Sequence, residues 1–185
     1  MTRLNGPQGR NKSRRGNAFL EGALSFFPLI LLTLGLVDIS MWIFVRGAIQ
    51  SAAREAVRYG ITYQTNINGT SCTSQSNCAK QVLISNALGF INANNINTYV
   101  TVNYYASDNL TTPLTTGDVG RTLPDGRNIT AINMTGNLME VRITAFPWSF
   151  MFPTSYLPAN PLNINVSTSD ILQGLPVGVF TYPTP

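Results

Sequence analysis

Histidine is absent from this chain of 185 residues. Its absence removes the usual general base, the Ser/His and Cys/His nucleophile pairs and the commonest zinc ligand. The acidic residues beyond position 45 follow no motif spacing; they are Glu55, Asp108, Asp118, Asp125, Glu140 and Asp170. No glycine-rich phosphate loop or metal-ligand spacing accompanies them. The sequence therefore predicts a protein that is not an enzyme and has no cofactor, metal or small-molecule substrate.

Charged residues are scarce, at 11% of the chain, whereas about a quarter is typical of soluble domains. Of the twelve Lys and Arg residues, five fall within the first fifteen positions: Arg3, Arg10, Lys12, Arg14 and Arg15. The remaining seven are balanced by eight acidic residues. The basic isoelectric point therefore describes a short leader and not a nucleic-acid-binding face, so we expect no nucleic-acid partner.

Cysteine occurs twice, as Cys72 and Cys78, in a stretch rich in Gly, Ser, Thr and Asn. A metal would need further ligands, and none lie nearby in the sequence. A disulfide is the favoured interpretation, provided that this part of the chain lies in an oxidising compartment. Closing so small a ring would stabilise the fold by about 2–2.5 kcal/mol in the chain-entropy model.

A long apolar run extends from Ala18 to Val45 and contains only two charges, Glu21 and Asp38. As a helix it would measure about 42 Å, more than the roughly 20 residues that a bilayer requires. A buried core helix is the alternative, but the rest of the chain is too small to enclose it. Asp38 would mark the outer membrane interface or a contact with another subunit.

The flanking charges predict the orientation of this segment, because Lys and Arg concentrate on the cytoplasmic side. The basic leader should stay in the cytoplasm, and everything after the helix should lie outside. We therefore divide the chain into a leader (1–16), a transmembrane helix (17–45) and an extracytoplasmic domain (46–185). An ordinary cleaved signal is a weaker alternative, because its apolar region would be about half as long and followed directly by small residues.

The junction between the leader and the apolar run carries Gly16, Asn17 and Glu21. Cleavage between Gly16 and Asn17 would create an α-ammonium group close in sequence to the carboxylate of Glu21. A carboxylate in hydrocarbon costs roughly 2.5–3.5 kcal/mol on insertion scales, and a neighbouring subunit's ammonium could compensate for it. Glu21 would then fix the stagger between subunits in a filament. Alternatively, Glu21 simply lies at the headgroup boundary.

The stretch from Arg15 to Gly60 resembles the TadE-like pseudopilins of tight-adherence (Tad/Flp) pilus systems. The resemblance rests on Arg15-Gly16 followed by Glu21, on Pro28, on 34–38 (LGLVD) and above all on 48–60 (AIQSAAREAVRYG). It departs from the family at Gly22 and in the exact place of Pro28. The resemblance implies cleavage by a prepilin peptidase after Gly16 and a minor structural role in assembling the pilus.

Beyond the apolar run, an amphipathic pattern continues the helix to about Tyr59, with Gly60 as the residue that ends it. Ser76 or Asn77 could cap a second helix over 79–92, whose buried stripe would be Val82, Leu83, Ala87, Leu88 and Ile91. Alternation predicts strands over 98–104, 138–146 and 162–168, and loops with a short hairpin near Pro124 over 111–137. The fold class is α+β: one long helix, one short helix and a small antiparallel sheet. The aromatic segment 146–153 either packs under this sheet or contacts another subunit.

These observations favour a minor pseudopilin of the inner membrane, processed after Gly16 and possessing a cytoplasmic N-terminus. Its expected partners are a prepilin peptidase, the other pilins and pseudopilins of the filament, the inner-membrane assembly platform and membrane lipid. The alternative is an unprocessed, permanently anchored binding or adhesion module in the periplasm or on the cell surface.

Overall fold

The computed structural model describes residues 13–67, 69–150, 162–175 and 181–185. These residues form a long helix followed by a mixed α+β domain, which confirms the predicted fold class. In chain order the elements are α1 (Ser13–Ile61), β1 (Asn66–Ile67), β2 (Thr70–Ser71), α2 (Gln75–Asn86), α3 (Ile96–Tyr99), β3 (Val100–Tyr105), a 3-10 turn (Thr116–Asp118), β4 (Leu138–Trp148) and β5 (Leu162–Ile171).

Helix α1 has 49 residues and would be about 73 Å long at 1.5 Å per residue. It remains helical through Pro28. From Val45 onward, one face of the helix is buried. It consists of small and branched residues: Val45, Ile49, Ala52, Ala53, Ala56, Val57 and Ile61. This C-terminal half forms the centre of the domain, because α2 and the strands β4 and β5 pack against it.

The predicted role of Gly60 as the residue that ends α1 is wrong. The helix continues to Ile61, and it is Tyr63 that takes the left-handed conformation after it, with φ 55°. A Cβ built on Gly60 would overlap the thioether of Met139 in β4. Gly60 therefore leaves room for the end of the Met139 side chain where helix and sheet meet, and it is not a helix cap.

The main sheet is antiparallel with the strand order β3-β4-β5. Residues Met139, Val141 and Ile143 of the central strand are at most 1% exposed and belong to the core around α1. A bulge interrupts the β4–β5 pairing between Ile143 and Phe146. All three predicted strands are present, with β4 and β5 longer than predicted, and β4 runs antiparallel to both of its neighbours.

Helix α2 begins earlier than predicted, because the side chain of Ser74 is the cap and accepts from the N–H of Asn77. Ser76 and Asn77 instead lie inside the first turn. The helix ends at Asn86, before the predicted end at residue 92. Four of the five predicted buried positions are buried, namely Val82, Leu83, Ala87 and Ile91, but Leu88 is 66% exposed.

The two cysteines form a disulfide, with the sulfur atoms 2.06 Å apart. Cys78 belongs to the first turn of α2, and Cys72 follows the short ribbon β1–β2, which the sequence did not predict. The backbone N–H of Cys72 also donates to the carbonyl of Thr65, over 2.8 Å. The disulfide therefore fastens this ribbon to the beginning of α2.

The hairpin predicted near Pro124 consists of a single antiparallel bridge between Thr122 and Asn128. Gly126 takes a left-handed conformation in the turn between them. In the aromatic segment, Phe146 is 9% exposed and packs edge-on against Tyr99, with ring centroids 5.4 Å apart. Phe146 thus belongs to the core, in agreement with the interpretation that the aromatic segment packs under the sheet. Residues 151–153 of this segment lie outside the described residues.

Candidate membrane anchor and processing segment

The N-terminal half of α1 exposes an almost continuous apolar surface. Sixteen large apolar side chains between Phe19 and Phe44 are at least 38% exposed: Phe19, Leu20, Leu24, Phe26, Phe27, Leu29, Ile30, Leu31, Leu32, Leu34, Leu36, Val37, Ile39, Met41, Ile43 and Phe44. Burying one such side chain is worth about 1.5–3 kcal/mol, so leaving all of them in water would forgo tens of kcal/mol. Within the part of the chain that the structure describes, this is the one helix long and apolar enough to cross a membrane.

Two hydroxyl groups in this half of α1 form hydrogen bonds to the preceding turn of the helix. The hydroxyl of Thr33 donates to the carbonyl of Leu29 over 2.8 Å, and that of Ser40 donates to the carbonyl of Leu36 over 2.7 Å. In hydrocarbon no water is present to accept these protons, so bonds to the preceding turn remove the cost of inserting the hydroxyl groups. Asp38 is only 4% exposed, so it is buried within the chain itself and does not lie on the open face of the helix.

The predicted processing residues lie on the first turns of the same helix. Gly16 and Asn17 are part of the backbone of α1, and the side chain of Glu21 is exposed. Glu21 lies four positions after Asn17, which corresponds to about 6 Å along the helix axis and about one helical turn. Glu21 forms no ion pair with any other described side chain. Its carboxylate therefore lies at the exposed surface of the helix.

The acidic residues outside the apolar run support local structure. Asp108 pairs with Arg121 at 3.3 Å, and Asp125 pairs with Arg127 at 2.7 Å. Asp118 accepts from the backbone and hydroxyl of Thr115 in a capping box. Hydrogen bonds from Thr115 hold the pKa of Asp118 below its usual value, and hydrogen bonds from Arg127 do the same for Asp125.

Glu140 is the most buried of these acids, at 7% exposed. It accepts from the hydroxyl of Tyr105 over 2.8 Å and from the guanidinium of Arg142 over 3.0 Å. Burial is the larger cause, and the hydrogen bond to Glu140 the smaller one, that raises the pKa of Tyr105. This phenol therefore stays protonated and donates its proton to the hydrogen bond. The six acids are thus spread over α1, loops and strands, and among the described residues no group of three could hold a metal ion.

Sequence reasoning missed a buried polar cluster where α1, α2 and the C-terminal residues meet. Gln75 is fully buried, and its amide nitrogen donates to the carbonyl of Gly60 over 2.6 Å. Its amide oxygen accepts from Asn133 over 2.7 Å and from the hydroxyl of Tyr104 over 3.3 Å. Desolvation by burial raises the pKa of Tyr104, which keeps the phenol neutral and able to donate.

A sequence signal for Gln75 did exist. It lies four residues before Ala79 and seven before Val82, on the buried stripe of α2. A polar residue on such a stripe indicates a buried hydrogen-bond partner. Its partners come from positions 60, 104 and 133, which no local pattern connects.

The C-terminal residues complete this cluster. The side chain of Asn133 also donates to the carbonyl of Pro183 over 2.8 Å, and the backbone N–H of Gln75 donates to the carbonyl of Thr184 over 2.8 Å. The ring of Tyr182 packs against that of Tyr63, with centroids 5.8 Å apart. The end of α1, the beginning of α2 and residues 181–185 therefore form one rigid corner, which holds α1 in place against the sheet.

Comparison with known proteins adds one match, and it falls on the segment just described. No curated protein and no solved structure shows significant similarity to the chain. Residues 16–58 match the model of a protein family described as TadE-like protein. The segment that contains Gly16, Asn17 and Glu21, together with the apolar and buried halves of α1, is thus TadE-like, which confirms the resemblance seen in the sequence.

Proposed function

We propose that this protein is a minor pseudopilin that takes part in assembling a tight-adherence pilus and is processed by a prepilin peptidase after Gly16. The TadE-like match suggests a pseudopilin associated with a Tad pilus. The observation that carries the proposal is the exposed apolar half of α1, with Glu21 one helical turn from Asn17 at its beginning. A helix with this surface suits insertion first in a bilayer and then among the helices of a filament.

In this scheme α1 crosses the inner membrane with the leader in the cytoplasm and residues 46–185 outside. The basic leader supports this orientation, and the disulfide agrees with it because disulfides persist in oxidising compartments. The mature chain starts at Asn17. The other pilins and pseudopilins of the filament and the inner-membrane assembly platform are its partners, and membrane lipid surrounds α1 before assembly.

Glu21 has the central role in the scheme. In a filament of parallel helices, the ammonium group of one subunit's Asn17 pairs with Glu21 of its neighbour and sets the axial stagger. Removing one member of a desolvated charge pair typically costs about 3–5 kcal/mol, against about 0–1 kcal/mol for an exposed pair. The carboxylate should therefore matter for assembly far more than for insertion.

The processing step is tested by replacing Gly16 with leucine and determining the N-terminus of the protein extracted from membranes. The wild type should begin at Asn17, and Gly16→Leu should remain uncut, because a side chain blocks close approach to the backbone at the cleavage site. Gly35→Leu is the matched control, since a Cβ at Gly35 meets nothing within 4 Å. A wild-type chain that still begins at residue 1 would reject processing and favour the permanently anchored adhesion module.

The assembly step is tested by comparing Glu21→Gln with Glu55→Gln. Both carboxylates are exposed on α1, but Glu55 lies in the half that packs on the domain. We expect Glu21→Gln to be inserted and cleaved normally yet to lose crosslinking to the major pilin, whereas Glu55→Gln should behave as wild type. Equal crosslinking and equal piliation in the two variants would reject the pairing role of Glu21.

A further inference from the structure

The turn after α2 presents an exposed leucine on a fixed backbone. Leu88 and Gly89 both take left-handed conformations, with φ 51° and 83°, and Leu88 is 66% exposed. A branched, non-glycine residue in this region is rare and strained, and such strain persists only where the surrounding structure imposes it. Here the N–H of Phe90 donates to the carbonyl of Ala87 over 3.0 Å, and Asn95 donates to the carbonyl of Phe90 over 3.1 Å.

This turn contacts α1 at the C-terminal end of the exposed apolar surface of the helix. The ring of Phe90 contacts the ring of Phe44 edge-on, with centroids 6.5 Å apart. Phe44 is the last residue of the exposed apolar run, since Val45 is fully buried and Arg46 is exposed. The apolar side chains of the turn therefore widen the apolar surface of α1. They do so at the position along the helix where its exposed residues change from apolar to polar.

The length of α1 places this level at the far side of a bilayer. From Asn17 to Phe44 there are 28 residues, or about 42 Å of helix. A bilayer measures about 30 Å across its hydrocarbon and about 40–45 Å with its headgroups. With Asn17 and Glu21 at the cytoplasmic boundary, Phe44 lies in the opposite headgroup region.

The polar neighbours of Phe44 suit that depth. The guanidinium of Arg46 lies 5.6 Å from the centroid of the Trp42 ring. Arginine is favoured at the membrane–water interface, where its apolar stem meets lipid and its guanidinium meets headgroups. A cation at this level also suits the phosphate groups of lipids.

We infer that Leu88 and Phe90, together with Phe44, form a lipid-contact patch by which the α+β domain rests on the outer surface of the membrane that α1 crosses. This inference depends on the membrane insertion contained in the proposed function, but not on processing or on filament assembly. The patch holds the domain at one height and orientation relative to the bilayer.

The test uses the full-length protein in vesicles of phosphatidylcholine and phosphatidylglycerol. An environment-sensitive dye is attached to a single introduced cysteine, at Leu88→Cys, Leu110→Cys or Leu32→Cys. The native cysteines are joined in a disulfide, so the dye attaches to the introduced thiol. Leu110 is the matched control, because it is a leucine on the domain with 61% exposure, and Leu32, at 62%, reports on insertion of α1.

Spin-labelled lipids with the label near the headgroup then quench the dyes according to depth. We expect the dye at Leu88 to be quenched several-fold more than the dye at Leu110. If Leu32 is quenched by deeply labelled lipids while Leu88 and Leu110 behave alike, the lipid-contact patch is wrong and insertion stands. If Leu32 is not quenched either, membrane insertion itself fails, and the proposed function fails with it. Protection of Leu88 only in assembled pili would assign the patch to a neighbouring subunit and overturn the inference.

Discussion

The two halves of α1 are one continuous helix with opposite surfaces. Before Val45, large side chains such as Phe27 and Leu32 stand exposed around the helix. After Val45, the buried face consists largely of small residues, including Ala52, Ala53 and Ala56, each fully buried. The first half is suited to a fluid apolar solvent, which adapts to any side-chain shape. The second half must fit a sheet and a second helix at short distance, and a close-packed interior does not adapt.

This difference shows that one helix can meet two sets of requirements. In lipid the requirement is total apolar surface, so individual residues can be exchanged. In the domain the requirement is shape, so single atoms matter. Gly60 illustrates the second case, because a single added carbon would overlap Met139. Substitutions in the two halves should therefore have unequal effects, and so should substitutions at packed and open positions within the domain; three pairs of variants test these contrasts.

The largest effect should come from truncating an apolar side chain in each half. Ile49→Ala removes a fully buried side chain and should lower the free energy of unfolding of the domain by about 2–5 kcal/mol. Leu36→Ala changes a side chain that is 58% exposed and should leave that free energy unchanged. Guanidinium unfolding of the full chain in detergent micelles measures both. Equal losses would mean that the first half also packs against the domain.

A smaller effect is expected from the buried polar cluster. Gln75→Ala leaves Asn133, Tyr104 and the carbonyl of Gly60 without their partner and should destabilise the domain by about 1–3 kcal/mol. Gln81→Ala makes the same change at an exposed position of the same helix and should stay within about 0.5 kcal/mol of wild type. Similar unfolding midpoints for the two variants would show that the hydrogen bonds of Gln75 do not contribute to the free energy of unfolding.

The smallest effects should come from two glycines of α1, and they should differ in sign. Gly60→Ala forces the flexible end of the Met139 side chain to move, so we expect a loss of about 1 kcal/mol, at the low end for overpacking. Gly47→Ala adds a Cβ where nothing lies within 4 Å and should stabilise the helix by about 0.5–1 kcal/mol. Thermal unfolding of the two variants measures the difference, and a stabilising Gly60→Ala would contradict the close approach.

Features that depend on local pattern could be predicted from the sequence alone. The long apolar run predicts a helix able to cross a membrane. Alternation predicts the three strands of the sheet, and the close cysteine pair predicts a disulfide. Each of these follows from hydrophobic periodicity or from short spacing, which act within a few turns of chain. The junction of Gly16, Asn17 and Glu21 was also visible in the sequence, and it lies within the TadE-like match.

Only the tertiary structure decided what depends on contacts distant in sequence. Gly60 suggests a helix end until Met139, far along the chain, is seen beside it. Leu88 suits the buried stripe of α2, but the helix ends early and a left-handed turn directs the side chain outward. The position of Gln75 on the buried stripe of α2 indicates burial, but its partners Gly60, Tyr104 and Asn133 are known only from the folded domain. Packing and hydrogen bonding in the folded domain override local preference at these positions, because burial makes an overlap or an unpaired polar group too costly.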